Sequence, residues 1–187
     1  MKGNPDYQTY RNLETRRLKL RPLGDNDLEE LFLLRSNPEV NRFLERTPAL
    51  KREDAREFMQ MISIGEAEMK WLYWVICQKE DGKLIGTLSL FNFSPDRSKA
   101  ELGFELMPCF QGMGFMQEAL EMVLKIVFDS LKLRFIRACV MPGNTRSIRI
   151  LEKNGFKPAE VSKTIHPEEI LLNSYILNRA EMAVNGS

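Results

Sequence analysis

The most regular feature of the chain is a set of short segments in which apolar and polar residues alternate, as they do in strands. Residues 13–22 (LETRRLKLRP) alternate leucines with charged side chains. Residues 72–78 (LYWVICQ) are rich in aromatic and β-branched side chains, and Asp81-Gly82 predicts a hairpin turn after them. Seven strands are predicted in this way, over residues 13–22, 72–78, 84–93, 99–106, 135–140, 157–163 and 171–178.

Between these strands the apolar spacing changes to three and four residues, the period of an amphipathic helix. Asp25 is the expected cap of the first helix, and Asn154-Gly155 the expected end of the last. The helices are predicted over residues 25–35, 51–69, 114–131 and 144–153, with a short helical turn near 39–44. The order β-α-α-β-β-β-α-β-α-β-β predicts an α+β fold, in which an antiparallel meander belongs to a mixed sheet.

Composition and charge narrow the class of protein. No repeat, low-complexity segment or linker divides the 187 residues, so a single domain over 1–187 is expected, with about the first 12 residues as a loose arm. The net charge of +1 provides no long-range field for a polyanion, which argues against primary nucleic-acid binding. The polar start, the lack of a long apolar run and three scattered cysteines favour a cytoplasmic protein away from the membrane.

Missing motifs exclude several chemistries. His166 is the only histidine, so zinc sites built from several histidines are excluded and no metal is expected. The sequence contains neither a GxSxG nucleophile elbow nor a GxxxxGK[ST] phosphate loop. The remaining chemistry must come from carboxylates, hydroxyls and backbone amides.

Two glycines mark the start of the helix predicted near residue 114. Gly112 and Gly114 let the backbone approach a ligand, and the unpaired N–H groups of a helix start suit a pyrophosphate. A dinucleotide-binding fingerprint would have a third glycine where Gln117 stands, which weakens that interpretation. The glycines alone are equally consistent with a plain turn before a helix.

Three motifs in this region, AELGFEL, QGMGFMQEAL and NTRSIRILEKNGF, closely resemble the GNAT acetyltransferase superfamily in order and spacing. Within it, the chain looks like the branch of ribosomal-protein N-terminal acetyltransferases (RimJ/RimL type), and the resemblance covers nearly the whole chain. It implies a mixed sheet of about seven strands with about four flanking helices. It also implies direct transfer of an acetyl group from acetyl-CoA to an amine.

The resemblance also implies which residues bind acetyl-CoA. Leu106 and Met107 would pair with the pantetheine arm like an added strand, and Asn144 would hydrogen-bond the same arm. Cys109 departs from the family pattern, which has Gln or Arg in that place, but the pyrophosphate is expected to meet mainly backbone amides. The residues implied to cradle the pyrophosphate are Gln111, Gly112, Met113, Gly114, Phe115 and Met116.

Candidates for the general base come from the strand over residues 99–106. Strand alternation places Glu101 and Glu105 on one face, but four residues separate them by roughly 13 Å, so they cannot both flank one reacting atom. Related acetyltransferases often place a base on this strand, and Glu101 is favoured here. The alternative is that Glu101 is a structural carboxylate, paired with an arginine or a backbone donor.

Two further residues are catalytic candidates by resemblance. His166 falls near the place where RimL-like relatives carry an acidic base, although Glu168 and Glu169 compete for the role and a loop histidine is often a bystander. Ser147 matches the serine thought to assist the leaving thiolate, with helix capping as the alternative. Leu151 replaces the tyrosine that many members use as the acid.

The acceptor is not determined by the sequence. A protein or peptide α-amine and a small-molecule amine both fit, and a non-catalytic domain that senses acetyl-CoA is the alternative from another class. The oligomeric state, monomer or homodimer, also stays open.

Overall fold

The computed structural model describes residues 10–159, 162–163 and 171–182. Its centre is a nine-stranded sheet with the order β1-β2-β3-β4-β5-β6-β9-β7, in which β8 also pairs with β9. The strands are β1 Leu13–Glu14, β2 Leu18–Arg21, β3 Leu72–Gln78, β4 Leu84–Phe91, β5 Lys99–Leu106, β6 Phe135–Val140, β7 Lys157–Pro158, β8 Ser162–Lys163 and β9 Leu171–Asn178. The helices are α1 Leu28–Ser36, α2 Pro38–Asn41, α3 Arg52–Ala67, α4 Phe115–Asp129, α5 Thr145–Lys153 and α6 Arg179–Met182.

The sheet is mixed at its centre, as predicted. Strands β3, β4 and β5 form an antiparallel meander, whereas β5 and β6 run parallel. A parallel pair needs a crossover, and α4 supplies it between β5 and β6.

The parallel pair separates along its length. Only three pairs join β5 to β6, and the last is Glu101 with Arg137. Beyond that pair β5 continues to Leu106 beside β4, while β6 continues to Val140 beside β9. The two strands therefore open a space between their carboxyl ends, which we call the strand gap.

Helices cover both faces of the sheet. The apolar residues of α4 recur every three or four positions, from Phe115 to Phe128, and pack with Leu102, Ile136 and Leu151 in the larger core cluster. On the opposite face, Tyr73, Val75 and Cys77 of β3 pack with residues of α1, α2 and α3 in a second cluster. Burying an aliphatic or aromatic side chain of this size contributes about 1.5–3 kcal/mol, so α4 is firmly held.

The number of strands differs from the prediction because two predicted strands are each divided. Residues 13–22 form the hairpin β1–β2, whose turn is closed by the Thr15 N–H donating to Leu18 O. Residues 157–163 contain β7 and β8, which pair with different halves of β9. Helix α6 was not predicted.

The predicted cap of the first helix is wrong. Asp25 lies inside a short 3-10 helix, Asp25–Asp27, which precedes α1. Asp27 accepts the Gly24 N–H at 2.8 Å and forms an ion pair with Arg21 at 2.6 Å, so it organises this turn instead. Within the described ranges, no helix is both long and apolar enough to cross a membrane.

Candidate active site

The loop between β5 and α4 leaves an open turn directly before the helix. Gly112 and Gly114 both have φ +77°, a region that favours glycine, and Gly114 is the N-cap of α4. A Cβ built on Gly112 would meet nothing within 4 Å, and residues 112–114 are exposed. The first N–H groups of an α-helix have no partner inside the helix, so this end of α4 offers donors and partial positive charge to an anion.

Arg17 holds this turn from outside, a role that the sequence did not predict. Its Nη1 donates to Met113 O at 2.9 Å, and its guanidinium lies 4.4 Å from the centre of the Phe115 ring. Its Nε donates to Glu118 Oε2 at 2.7 Å. Because these contacts span about a hundred residues of chain, no local pattern could have indicated them.

Glu118, in the first turn of α4, holds Arg17 and the hairpin β1–β2 in place. It accepts hydrogen bonds from the Thr15 hydroxyl and from the Arg17 main-chain N–H. Burial alone would raise the pKa of Glu118, but the bonds from Thr15 and Arg17 outweigh it and hold that pKa below its ordinary value. The carboxylate therefore stays charged at neutral pH and fixes the hairpin β1–β2 against the helix.

The edge of β5 presents main-chain groups to the strand gap. The Met107 N–H donates to Ile85 O, and Met107 O accepts from the Phe110 N–H. Since main-chain directions alternate along a strand, the N–H and C=O groups of Phe104 and Leu106 face away from β4, towards the gap. Both main-chain groups of Met107 are therefore already hydrogen-bonded. Of the two residues predicted to pair with an added strand, Leu106 is the one whose main chain faces the gap.

Gln111 connects three parts of the site. Its Nε2 donates to Leu106 O at 2.9 Å, and its Oε1 accepts from Nη1 of Arg146 in the first turn of α5. The strand edge, the glycine turn and α5 are thereby brought together around the strand gap.

Asn144 is the N-cap of α5, and its Oδ1 accepts the Ser147 N–H at 3.2 Å. An amide side chain also carries two N–H donors, so the cap leaves Nδ2 available to a ligand. Ser147 is half-buried in the first turn of α5, next to Arg146. Leu151 is fully buried in the core.

The two glutamates of β5 have different surroundings. Ala100 and Leu102 are buried towards α4, so the alternation of the strand places Glu101 and Glu105 on the opposite face, that of α1–α3. Glu105 forms an ion pair with Arg46 at 2.7 Å and accepts from the Thr87 hydroxyl at 3.1 Å. Glu101 stands where β5 and β6 separate, and its one carboxylate hydrogen bond among the described residues comes from Asn92, at 3.3 Å.

The remaining candidate residues are His166, its neighbours Glu168 and Glu169, and Cys109. His166, Glu168 and Glu169 lie outside the described residues. Cys109 is exposed in the short 3-10 helix before the glycine turn. In the part of the chain that the structure describes, no three His, Cys, Asp or Glu side chains come together as a metal site.

The sequence of this chain matches those of known proteins. Residues 17–157 match the model of the acetyltransferase (GNAT) domain. The uncharacterized N-acetyltransferase p20 of Bacillus licheniformis is 34% identical over 145 residues, which cover 78% of this chain and 82% of that protein.

Solved structures share the fold. A GCN5-related N-acetyltransferase from Brucella melitensis superposes with a TM-score of 0.81 at 21% identity, covering 92% of this chain and 80% of that one. RimL, a ribosomal L7/L12 α-N-protein acetyltransferase in complex with coenzyme A, gives 0.78 at 19% identity, covering 88% and 95%.

The chain belongs to the GNAT acetyltransferase family. Its class of activity is acetyl-CoA-dependent N-acetyl transfer, and the predictions of fold and enzyme class are confirmed. The family match covers both walls of the strand gap, since it includes β5, α4, β6 and α5.

Proposed function

We propose that this protein transfers an acetyl group from acetyl-CoA directly to a primary amine, either a protein or peptide α-amine or the amine of a small molecule. The observation that carries the proposal is the strand gap, which lies beside an open glycine turn at the start of α4. The RimL structure, which has the same fold and holds coenzyme A, supports the choice of cosubstrate.

The cosubstrate would be held mainly by backbone groups. The Gln111 N–H already donates to Pro108 O at 3.1 Å, so the amides of residues 112–116 face the diphosphate, and the helix start adds favourable partial charge. The main chain of Leu106 pairs with the pantetheine arm, and Nδ2 of Asn144 donates to the same arm. In this binding mode Gln111 exchanges its hydrogen bond with Leu106 O for one to the ligand.

The acceptor must lose a proton before or during its attack. A lysine amine with a pKa of about 10.4 requires roughly 4.6 kcal/mol for deprotonation at pH 7, whereas an α-amine near 7.8 requires about 1.1 kcal/mol. A carboxylate acting through one water is therefore a sufficient base for an α-amine. Glu101 takes this role in our proposal, because the charge of Glu105 is already matched by Arg46.

The reaction then follows from the positions of these groups. The amine lone pair forms the new C–N bond, the C–S bond breaks, and the surplus amine proton passes to Glu101. Ser147 donates a hydrogen bond to the departing sulfur, which stabilises negative charge on it until a proton arrives. His166 stays a second candidate for the base.

The test is acetyl-CoA binding by calorimetry, followed by thiol release with a panel of peptide and small amines. We expect Ser147→Ala and Glu101→Gln to lower kcat by about tenfold or more while coenzyme A affinity changes little. Glu80→Gln, in the distant turn after β3, is the matched control. Unchanged kcat in a variant removes that residue from the mechanism.

A non-catalytic acetyl-CoA sensor is the other outcome of this experiment. Leu151 stands where many members of the family carry an acidic tyrosine, and its complete burial is the one structural observation that supports a non-catalytic domain. Tight acetyl-CoA binding without thiol release across the whole panel would establish it.

A further inference from the structure

Two arginines lie beside Glu105 on the α1–α3 face of the sheet, and we call these three residues with Tyr73 the arginine cluster. Arg46 pairs with Glu105 at 2.7 Å, and its Nε donates to Asn41 Oδ1 at 2.7 Å. The Arg46 side chain is 19% exposed and that of Glu105 10% exposed, so this pair is largely shielded from water.

Arg35, near the end of α1, brings a second positive charge to the same place. Its guanidinium lies 3.5 Å from the centre of the Phe58 ring, and among the described residues it forms no ion pair of its own. Burial lowers the pKa of Arg35, Arg46 lowers it further, and Glu105 offsets only part of this. Asn41 bonds both to the Arg35 main-chain O and to Arg46 Nε, so the two arginines are neighbours, and only Arg46 is paired with Glu105.

Tyr73 adds a buried hydroxyl to the cluster. Its side chain is only 6% exposed, and its hydroxyl lies near Thr87 without a hydrogen bond of good geometry in the described part of the chain. Burial raises the pKa of Tyr73, and the nearby Glu105 raises it further, so the hydroxyl keeps its proton. An incoming anion would offer this hydroxyl a better-placed acceptor.

The cluster is placed to meet the acceptor rather than the cosubstrate. Glu105 directly precedes Leu106, whose main chain faces the strand gap, and its side chain lies on the face opposite to α4. Helices pack on both faces of the sheet, but on this face the Arg46 side chain is 19% exposed, so an acceptor that approaches from this side reaches the cluster. An amine lying between Glu101 and Glu105 would have the cluster roughly 5–10 Å away, since four strand residues span about 13 Å.

We propose that Arg35, supported by Arg46 and Tyr73, binds an anionic group of the acceptor, so that the preferred substrate is an amine with a carboxylate or phosphate one residue away from it. This inference rests on the proposed function and names its substrate class. Arg35 has the surplus charge and a planar fork that suits either oxyanion, while Arg46 stays paired with Glu105.

The test compares three tripeptide amides that differ only at the second residue: Ala-Glu-Ala, Ala-Gln-Ala and Ala-phosphoserine-Ala. We expect kcat/KM for at least one acidic peptide to exceed that for the glutamine peptide by about ten- to a hundredfold, the range of one charge-assisted contact. The two acidic peptides show which oxyanion is preferred. As small-molecule acceptors, 6-aminohexanoate and its amide differ in the same way, and kcat/KM should be higher for the carboxylate.

The Arg35→Met variant keeps an apolar stem against Phe58 but removes the charge. We expect it to lower kcat/KM for the acidic peptides to that of the glutamine peptide, mainly through KM, with no loss in thermal stability. Arg42→Met, an exposed arginine in the same segment, is the control and should keep the preference.

Equal rates with acidic and neutral peptides, or a preference that survives in Arg35→Met, would overturn the inference while the transferase proposal stands. Acetyl-CoA binding without turnover of any amine would overturn both. The two failures are therefore distinguishable.

Discussion

Replacing Gly112 by glutamate places a carboxylate in the open turn before α4. The turn has room for the side chain, since a Cβ at this position meets nothing within 4 Å. The backbone is strained, because φ of +77° costs a residue with a Cβ about 1 kcal/mol. The expected loss of coenzyme A affinity must therefore come mostly from charge.

The size of that loss can be estimated from Coulomb's law. Two like charges about 8 Å apart repel by about 2 kcal/mol at an effective dielectric constant of about 20. Each diphosphate charge near the new carboxylate would then weaken binding by roughly thirtyfold, before screening by salt. We expect the Kd of coenzyme A to rise at least that much in Gly112→Glu.

Matched variants separate charge from strain. Gly112→Ala carries the strain without the charge and should weaken binding by less than about tenfold. Gly112→Lys tests bulk with the opposite charge. Gly82→Glu places the same side chain on a glycine with φ +72° in the distant β3–β4 hairpin, where it also meets nothing within 4 Å, and should bind normally.

Calorimetric titration with coenzyme A and with pantetheine, which lacks the diphosphate, completes the assay. Only the coenzyme A titration should change in Gly112→Glu. Wild-type affinity in that variant, or equal loss for both ligands, would refute the assignment of the diphosphate to this turn.

Two predictions concern stability. Arg46→Met leaves Glu105 without its direct partner, so we expect a loss of about 2 kcal/mol in the free energy of unfolding. The double variant Arg46→Met/Glu105→Gln should recover most of this loss, because the uncompensated charge is then gone. Additive losses in the two single variants would contradict this explanation. The folded-state pKa of Glu118 is below its ordinary value of 4.5, so its stabilising effect is present above about that pH and is lost as the pH falls through the lowered value. Thermal melts should show wild type more stable than Glu118→Gln at pH 7, with the difference shrinking below pH 4.5; a difference independent of pH would refute the assignment.

Local sequence patterns determined most elements of the fold. The three- and four-residue spacing of apolar side chains in α4, and the aromatic and β-branched content of β3, reflect which faces must be buried, and burial dominates the energy of such elements. The turn before α4 could also be predicted from Gly112 and Gly114, because φ of +77° is accessible to glycine and strained for most other residues.

The element boundaries that were predicted wrongly are those decided by single hydrogen bonds. The prediction treated residues 13–22 as one strand, but the Thr15 hydroxyl accepts the Leu18 N–H and the chain turns there. At the first helix, the carboxylate of Asp27 rather than Asp25 meets the Gly24 N–H. Such local competition between side chains and backbone leaves little trace in hydrophobic periodicity.

By itself, then, the sequence determined the elements, the family and the glycine turn, because these depend on side-chain periodicity and on local backbone freedom. Only the tertiary structure decided that β5 and β6 separate after Glu101, that Arg17 pairs with Glu118, and that Arg46 pairs with Glu105. Those features arise between residues far apart in the chain, where packing of the whole sheet fixes which charges meet and which are left over.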